Sequence, residues 1–444
     1  MRRRFPAVYS LVLLVALAGV IALAATAGPA VAGPMVAFDT FIAVPAASGV
    51  NMQPGGAFSA FDISFADSVT GNVFVADRSN AGVSIFSGSS LTFLGRATGF
   101  TGQQATTSVS GPDGVLTVTS GGVTTLYGGD GDSTLKIFNA TNPAAPSVLQ
   151  APISTGGATR VDEMAYSPSS HQILAANNAE TPAFGNLFQT TNGTTPVTLL
   201  GAPPPGNRII VPASQGGIAD GGMEQPVWDP HTGTFFVSIP ALAGSNNPGG
   251  VSEISTSGTV LRTIDFGTLG ITSCSPTGLA VGASGNLMVG CGNVGTQAIV
   301  LNPAGTGSIV RTFAGLAGTD ELWYDPTTNA FYVTGNNGTN TTRFFDIVTD
   351  DLTGGFISQT VPLPTTTSAH SITVNPLNGD VFVPLAGTAG PNGVNPCPAS
   401  FANPGCIAVY SQVRAAVPEP GSLALMLTGF AGLGGLVWRR RRNS

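Results

Sequence analysis

Short apolar runs alternate with polar turn residues through most of the chain, and the same arrangement recurs several times. Each copy begins with a polar residue and a short apolar strand. It continues through Asp-Pro, Asn-Pro or Ser-Pro and a Gly or Asn, and ends in a second strand that closes on Val. The clearest copies are 224–237, 321–333 and 370–383; weaker ones begin near Asp62, Glu163 and Thr277, and a less regular one spans 113–138. Alternation around a turn signal predicts a β-hairpin in each copy.

A third strand follows several of these hairpins, as at 82–86, 134–138 and 406–410, and no sustained helical period occurs between the two ends of the chain. Three or four strands recurring about every fifty residues predict an all-β protein with a β-propeller fold. Seven copies predict seven blades, with six or eight as alternatives. A strand over 35–44 is expected to pair into the last blade and close the ring. The competing architectures are a pair of β-sandwiches and a β-helix.

The N-terminus has the pattern of a secretory signal. Arg2, Arg3 and Arg4 precede an apolar stretch over 8–27, and small residues follow at Ala30 and Ala32. This order predicts a signal peptide over 1–32 that is cleaved after Ala32, the alternative being a retained N-terminal anchor.

The C-terminus carries Val417-Pro418-Glu419-Pro420, then an apolar run over 423–438, then four arginines at 439–442. With Gly421 and Ser422 the run just reaches the length of a bilayer-spanning helix, and the arginines would stay on the cytoplasmic side. This tail resembles the PEP-CTERM sorting signal. The resemblance implies recognition and processing by an exosortase-type membrane protease in a Gram-negative bacterium that makes an exopolysaccharide or biofilm matrix. The alternative is a plain tail anchor.

These assignments predict three segments: the signal peptide over 1–32, the propeller over 33–414 and the sorting signal over 415–444. The expected precursor is anchored in the inner membrane, and the processed protein is expected on the outer surface or in the extracellular matrix.

Charge excludes one class of function. Of the 16 Lys and Arg residues, seven lie at the two ends, so nine basic residues face 23 acidic ones. A nucleic-acid-binding protein would show the opposite balance.

The four cysteines form two local pairs, Cys274 with Cys291 and Cys397 with Cys406. In an exported protein this pattern predicts two disulfides, and neither spacing suits a zinc site.

Four segments also resemble bacterial YVTN/NHL-type seven-bladed propellers, whose wider relatives include gluconolactonase-like enzymes. The segments are 129–137, 161–168, 320–326 and 405–410. The resemblance implies a binding protein or, less directly, a lactonase-like hydrolase.

The start of each inner strand should lie at one mouth of the central channel. The repeat aligns polar residues there: Asp62, Glu163, Glu224, Thr277, Glu321 and His370. Converging carboxylates would have raised pKa values or hold a cation, and oxygen ligands suit Ca²⁺. The alternative is that these side chains bond neighbouring blades and seal the ring.

The sequence therefore predicts an exported, non-enzymatic surface or matrix protein with a binding or structural role linked to exopolysaccharide or biofilm. Its ligand would be a matrix polysaccharide, a protein or a small molecule, and a purely structural matrix component is a further alternative. A Ca²⁺-dependent lactonase or hydrolase that uses the channel mouth is the alternative, although no catalytic set can be assigned.

Overall fold

The computed structural model describes residues 33–202, 206–218, 222–243, 248–292, 297–316, 318–336, 343–351, 353–364, 369–388 and 395–413. These residues form seven four-stranded antiparallel sheets, so the predicted seven-bladed propeller is confirmed. In chain order the described strands are β1 (Val36–Ala43), β2 (Ser64–Ala66), β3 (Asn72–Asp77), β4 (Gly82–Ser87), β5 (Phe93–Thr98), β6 (Val115–Ser120), β7 (Val123–Gly129), β8 (Thr134–Asn139), β9 (Ser147–Ser154), β10 (Met164–Ser167), β11 (Gln172–Asn177), β12 (Phe184–Thr191), β13 (Thr194–Leu199), β14 (Pro226–Asp229), β15 (Thr234–Ile239), β16 (Gly250–Ile254), β17 (Val260–Asp265), β18 (Pro276–Val281), β19 (Leu287–Cys291), β20 (Gln297–Asn302), β21 (Ser308–Ala314), β22 (Leu322–Asp325), β23 (Ala330–Asn336), β24 (Arg343–Thr349), β25 (Phe356–Pro362), β26 (Thr373–Val374), β27 (Val381–Leu385) and β28 (Cys406–Gln412).

Six blades use four consecutive strands each, beginning at β2, β6, β10, β14, β18 and β22. The seventh has the order β1-β28-β27-β26, so the N-terminal strand supplies its outer edge. Val36 pairs with Gln412 and Ala43 with Cys406. The closure predicted from 35–44 is therefore confirmed, and it joins the two ends of the propeller in one sheet.

The inner strands end in a turn that their own last residue stabilises. Asp229 accepts a hydrogen bond from the His231 amide at 2.8 Å, and Asp325 accepts one from the Thr327 amide at 3.0 Å. Asn375 accepts one from the Leu377 amide at 3.0 Å. This is why Asp or Asn stands before the turn in the repeated pattern. These turns define the lower face of the propeller, and the inner strands begin at its upper face.

The core lies between adjacent blades. One apolar cluster joins blades one and two through Phe74, Val83 and Leu126, and another joins blades seven and one through Val73 and Phe382. Such residues are fully buried because each sheet packs face to face with the next.

Both predicted disulfides form, between Cys274 and Cys291 and between Cys397 and Cys406. Both lie at the upper face, where Cys291 ends β19 and Cys406 begins β28.

Helix is limited to four single 3₁₀ turns in the described part of the chain: Pro54–Gly56, Arg78–Asn80, Thr107–Val109 and Ala213–Gln215. Within these described segments no helix is both long and apolar enough to cross a bilayer. The predicted signal peptide and the predicted spanning helix over 423–438 lie outside the described residues.

Candidate functional site in the central channel

Seven residues, one from each blade, lie at the same level at the upper end of the channel. The amides of Asp62, Asp113 and Asp162 each donate to the second strand of their own blade, at 2.8–3.0 Å. The Glu224 amide makes the equivalent bond to Ser238, and the strand pairing gives the other three members. The full upper ring is Asp62, Asp113, Asp162, Glu224, Thr277, Asp320 and His370.

Two of the residues that the alignment of the internal repeats placed in this ring lie one position away from it. Glu163 and Glu321 lie one residue further along their strands, and Asp162 and Asp320 occupy the ring positions. Consecutive strand residues point to opposite sides, so this shift changes what the two glutamates contact. The ring therefore unites Asp62, Glu224, Thr277 and His370 of the predicted set, while Glu163 and Glu321 form part of a second layer below it.

Two buried arginines neutralise part of the upper ring. Arg78 donates through Nη2 to Asp62 and through Nε to Asp113. Arg160 Nε lies 2.9 Å from Asp162 Oδ2 and 3.3 Å from Asp113 Oδ2. Three adjacent aspartates are thus linked by two guanidinium groups, with Asp113 between them.

The loop after β3 delivers Arg78 to the channel. Asp77 accepts from the Asn80 amide at 3.1 Å and from the Ser84 hydroxyl at 2.8 Å, which fixes the 3₁₀ turn Arg78–Asn80. Ala81 closes this turn in the left-handed conformation, with φ of 46°.

The two arginines affect the pKa values of the three aspartates differently. Burial raises the pKa of Asp62, but Arg78, Arg160 and His370 lower it more, so the net shift is downward. Burial raises the pKa of Asp113 well above its ordinary value, despite its contact with Arg78. Burial also raises the pKa of Asp162 to about 6, although Arg160 opposes the change.

The other side of the ring has weaker partners. Glu224 accepts from Asn178 Nδ2 at 3.3 Å, and burial with the charges of Asp162 and Asp320 raises its pKa well above the ordinary value. Asp62, Asp320 and His370 bring one potential ligand atom each within 4.8 Å of the others. His370 is held by stacking on Phe61, with ring centroids 4.8 Å apart.

The donor set of this cluster can be compared with the preference of Ca²⁺. Ca²⁺ takes about six to eight oxygen ligands. The cluster offers three groups, one of which is an imidazole nitrogen. The three residues could hold a divalent cation, but their two carboxylates provide at most four of the six to eight oxygens that Ca²⁺ prefers.

Glu321 accepts three hydrogen bonds through one carboxyl oxygen in the second layer. Its Oε2 accepts from the Ser64 amide at 3.0 Å and the Ser64 hydroxyl at 3.2 Å, and also from the Ser371 hydroxyl. Gln225 bridges two further blades, since its Oε1 accepts from the Leu279 amide at 2.6 Å and the Leu322 amide at 3.1 Å. These side chains link five blades by hydrogen bonds. This is the arrangement expected if polar residues at the strand starts bond neighbouring blades and seal the ring.

Glu163 is the exception in this layer. Its side chain is buried, with 2% of the residue exposed. Neither carboxyl oxygen has a hydrogen-bond partner among the described residues. Burial, with the charges of Asp162, Asp320, Glu224 and Glu321, raises its pKa well above the ordinary value.

Below the second layer the channel widens into a cavity of about 610 Å³. Residues of three hairpin turns, Ser68, Pro168 and Pro230, line it, so it opens at the lower face. Glu163, Gln225 and Glu321 line its inner end. The aromatic lining residues are Phe65, Tyr166, Trp228, Trp323 and Tyr324.

Sequence reasoning missed Arg78, Arg160, Gln225 and the aromatic lining. A signal existed for the arginines, because the body has few basic residues and both stand beside the acidic start of an inner strand or an acidic turn residue. The aromatics occupy the expected inner strands, at Trp228 and at Trp323-Tyr324, but apolar residues there also fit an ordinary core.

The predicted cleavage residues Ala30 and Ala32 and the processing residues Val417, Pro418, Glu419 and Pro420 lie outside the described residues.

Comparison with known structures supports the fold. The chain is similar to Chaetomium thermophilum Raptor, with a TM-score of 0.53 and 12% identity over 87% of this chain. It spans only 30% of the Raptor chain. It is also similar to the Cps50 (Swd1) β-propeller domain of Myceliophteria thermophila, with a TM-score of 0.52 and 10% identity, covering 85% of this chain and 99% of that one.

Among curated proteins no sequence matches the chain. A family model for the PEP-CTERM protein-sorting motif matches residues 416–442. The protein is thus a seven-bladed β-propeller that ends in a PEP-CTERM motif, which implies export and processing by an exosortase.

Proposed function

We propose that this protein is a non-enzymatic component of the outer cell surface or extracellular matrix, and that it binds exopolysaccharide through the lower part of its channel. The observation that carries the proposal is the cavity of about 610 Å³ with five aromatic rings in its lining. Flat aromatic faces pack against the apolar faces of sugar rings, and a few polar groups at the closed end can orient the ligand.

Contacts outside the cavity hold several of these rings in place. The Tyr324 hydroxyl donates to Asn329 Oδ1 at 2.7 Å, and Tyr166 contacts His171 at 3.1 Å. Phe65 and Trp323 pack edge to face, with centroids 5.2 Å apart. Side chains that are already ordered lose less conformational entropy when a ligand binds, which favours affinity.

The proposal includes the segment boundaries and the finer family assignment. The propeller of 33–414 is exported after the signal of 1–32 is removed. The tail of 415–444 is processed at the inner membrane of a Gram-negative bacterium, and the propeller then reaches the outer surface or the extracellular matrix. The YVTN/NHL-type resemblance is part of the same proposal.

Tryptophan fluorescence offers a specific test. The chain has three Trp residues, and Trp228 and Trp323 both line the cavity. In the full-length protein in detergent, Trp438→Phe leaves only these two. Fragments of the producing bacterium's exopolysaccharide are expected to change the emission. Trp228→Ala should weaken binding about tenfold or more, since one lost stacking contact costs roughly 1–3 kcal/mol.

The matched control is Phe356→Ala, which removes an aromatic ring that is 39% exposed on the outer strand β25. This variant should bind like the parent. Unchanged emission with every matrix polysaccharide fraction would contradict the proposal.

The cluster of Asp62, Asp320 and His370 supports a second candidate function, a metal-dependent lactonase or hydrolase at the upper mouth. Calorimetric titration with Ca²⁺, Mn²⁺ and Zn²⁺ should detect one divalent-cation site, and Asp320→Asn should weaken it at least tenfold because it removes one of three ligands. Asp351→Asn, at an exposed turn on the lower face, is the control. Cation-dependent lactone hydrolysis that Glu224→Gln abolishes would replace the binding function with the enzymatic one.

A further inference from the structure

The inner end of the cavity carries an acidic group that the protein leaves without a partner. Both carboxyl oxygens of Glu163 are buried and make no hydrogen bond within the described segments. Burying a polar group without a partner costs about 1–3 kcal/mol. Glu321 and Gln225, in the same layer, bond neighbouring blades instead. The fold therefore does not need the Glu163 carboxyl to seal the ring.

The surroundings of Glu163 favour a cation. Seven carboxyl groups lie in the upper ring and second layer, and two guanidinium groups, Arg78 and Arg160, lie among them. Both arginines contact ring aspartates rather than Glu163. A positively charged group that enters from the lower face would favour ionisation of these buried carboxyls, and at low dielectric the resulting attraction is strong.

The distance between Glu163 and the aromatic rings sets the size of the ligand. Tyr166 lies on β10, three residues after Glu163, which directly precedes that strand, so the two side chains leave the backbone about 10 Å apart. A sugar ring whose charged substituent reaches Glu163 would therefore extend toward the aromatic residues. The next sugar of the chain would lie against Trp228 or Tyr324 near the opening.

We propose that the channel is specific for an amino sugar with a free amine, at the end of a polysaccharide chain, and that Glu163 binds its ammonium group. The inference rests on the proposed saccharide-binding function and names the substrate class of that same site. The aromatic residues bind the rings, and Glu163 discriminates an ammonium from an acetamide or a hydroxyl at the same position.

Binding is expected to release a proton. Burial raises the pKa of Glu163, and so do the titratable groups that face it: Asp162, Glu224, Asp320 and Glu321. The carboxyl consequently keeps its proton to a higher pH than an exposed glutamate does. An ammonium group favours the ionised form, so the carboxyl proton leaves to solvent as the ion pair forms.

The experiment compares ligands that differ only in charge. Full-length protein with Trp438→Phe is titrated at about pH 6, where amines are protonated, with a glucosamine trimer, its N-acetylated counterpart and a glucose trimer of the same linkage. The glucosamine trimer should bind at least tenfold tighter than the other two. Calorimetry in two buffers of different ionisation enthalpy should show proton release with this trimer alone.

Glu163→Gln separates charge recognition from sugar binding. In this variant the three trimers should bind alike, and proton release should disappear. Glu180→Gln, at a carboxyl that accepts hydrogen bonds from Ala158 and Thr159 outside the channel, should behave like the parent.

Each other outcome has a definite meaning. Equal affinities for all three trimers in the parent would overturn the amino-sugar inference while leaving saccharide binding intact. No change in emission with any trimer or matrix polysaccharide would remove the proposed function as well. Equal affinity for tetramethylammonium and the glucosamine trimer would overturn the sugar component and indicate a simple ammonium site.

Discussion

Arg78→Met is expected to lower the free energy of unfolding by about 3–5 kcal/mol at neutral pH, because it leaves buried carboxylates without their cation. The guanidinium of Arg78 contacts both Asp62 and Asp113, and only 10% of its side chain is exposed. Asp113 would keep a single contact, with Arg160. Methionine preserves most of the volume, so the loss would report charge rather than packing.

The effect of this substitution should depend on pH. In the parent, the net pKa shift of Asp62 is downward, so its ionised form stabilises the fold above the unfolded pKa of 3.8, and this contribution is lost as the pH falls further. Without Arg78 burial dominates and the pKa of Asp62 rises. The variant should consequently be least stable near neutrality and should approach the parent as the pH falls toward 4. Urea unfolding at several pH values measures both trends.

Arg311→Met provides the control on the outer strand β21. Arg311 is exposed and donates to the Gly355 carbonyl. Its replacement should change the unfolding free energy by less than about 0.5 kcal/mol at any of these pH values. An Arg78 variant with the stability of the control would show that solvent, rather than Arg78, neutralises the upper ring.

The periodic pattern carried enough information to predict the fold. Asp or Asn before a Pro and a turn residue recurs because several inner strands lead into a turn that such a side chain caps, as at Asp229 and Asp325. The closing strand β1 was predictable because a propeller with an open edge would expose unpaired backbone groups. The turn caps depend on neighbours in sequence, and the closure follows from the general need to pair an edge strand.

The site was predictable in location but not in detail. The alignment matched Glu163 and Glu321 to Glu224, because Asp-Glu pairs at 162–163 and 320–321 permit two registers that differ by one residue. Only the strand pairing decides which acid faces the ring. Arg78 and Asp113 are 35 residues apart in sequence and belong to adjacent blades. No local sequence pattern specifies a contact between such a pair.

The channel is divided by its second layer into two chemically different halves. The upper half holds acidic groups and arginines, and the lower half is lined by aromatic and aliphatic side chains. Gln225 and Glu321 separate them by bonding across blades. Glu163 lies at the boundary between the two halves. The proposed ammonium recognition at this residue therefore adjoins the stacking of sugar rings in the lower half.

This division leads to a paired prediction in which the same substitution has opposite effects at two positions of one layer. Glu321→Leu should destabilise the protein by about 3 kcal/mol, because the Ser64 amide loses its acceptor and only one of the Ser64 and Ser371 hydroxyls can still donate, to the other. Each buried donor left unpaired costs about 1–3 kcal/mol. Glu163→Leu removes no hydrogen bond within the described residues. It should leave stability unchanged or raise it by about 1–3 kcal/mol, because an unpartnered buried carboxyl is replaced by an apolar group.

The pH dependence distinguishes this explanation from a simple packing effect. The pKa of Glu163 is raised in the folded state, so the folded protein binds a proton that the unfolded chain releases above its ordinary pKa of 4.5. The stability that this proton confers is complete below that pKa and is lost as the pH rises toward the folded value. The advantage of Glu163→Leu over the parent should therefore grow between about pH 4 and pH 8. Urea unfolding of the full-length variants at both pH values measures it, and equal destabilisation by the two substitutions would mean that Glu163 is a structural partner like Glu321.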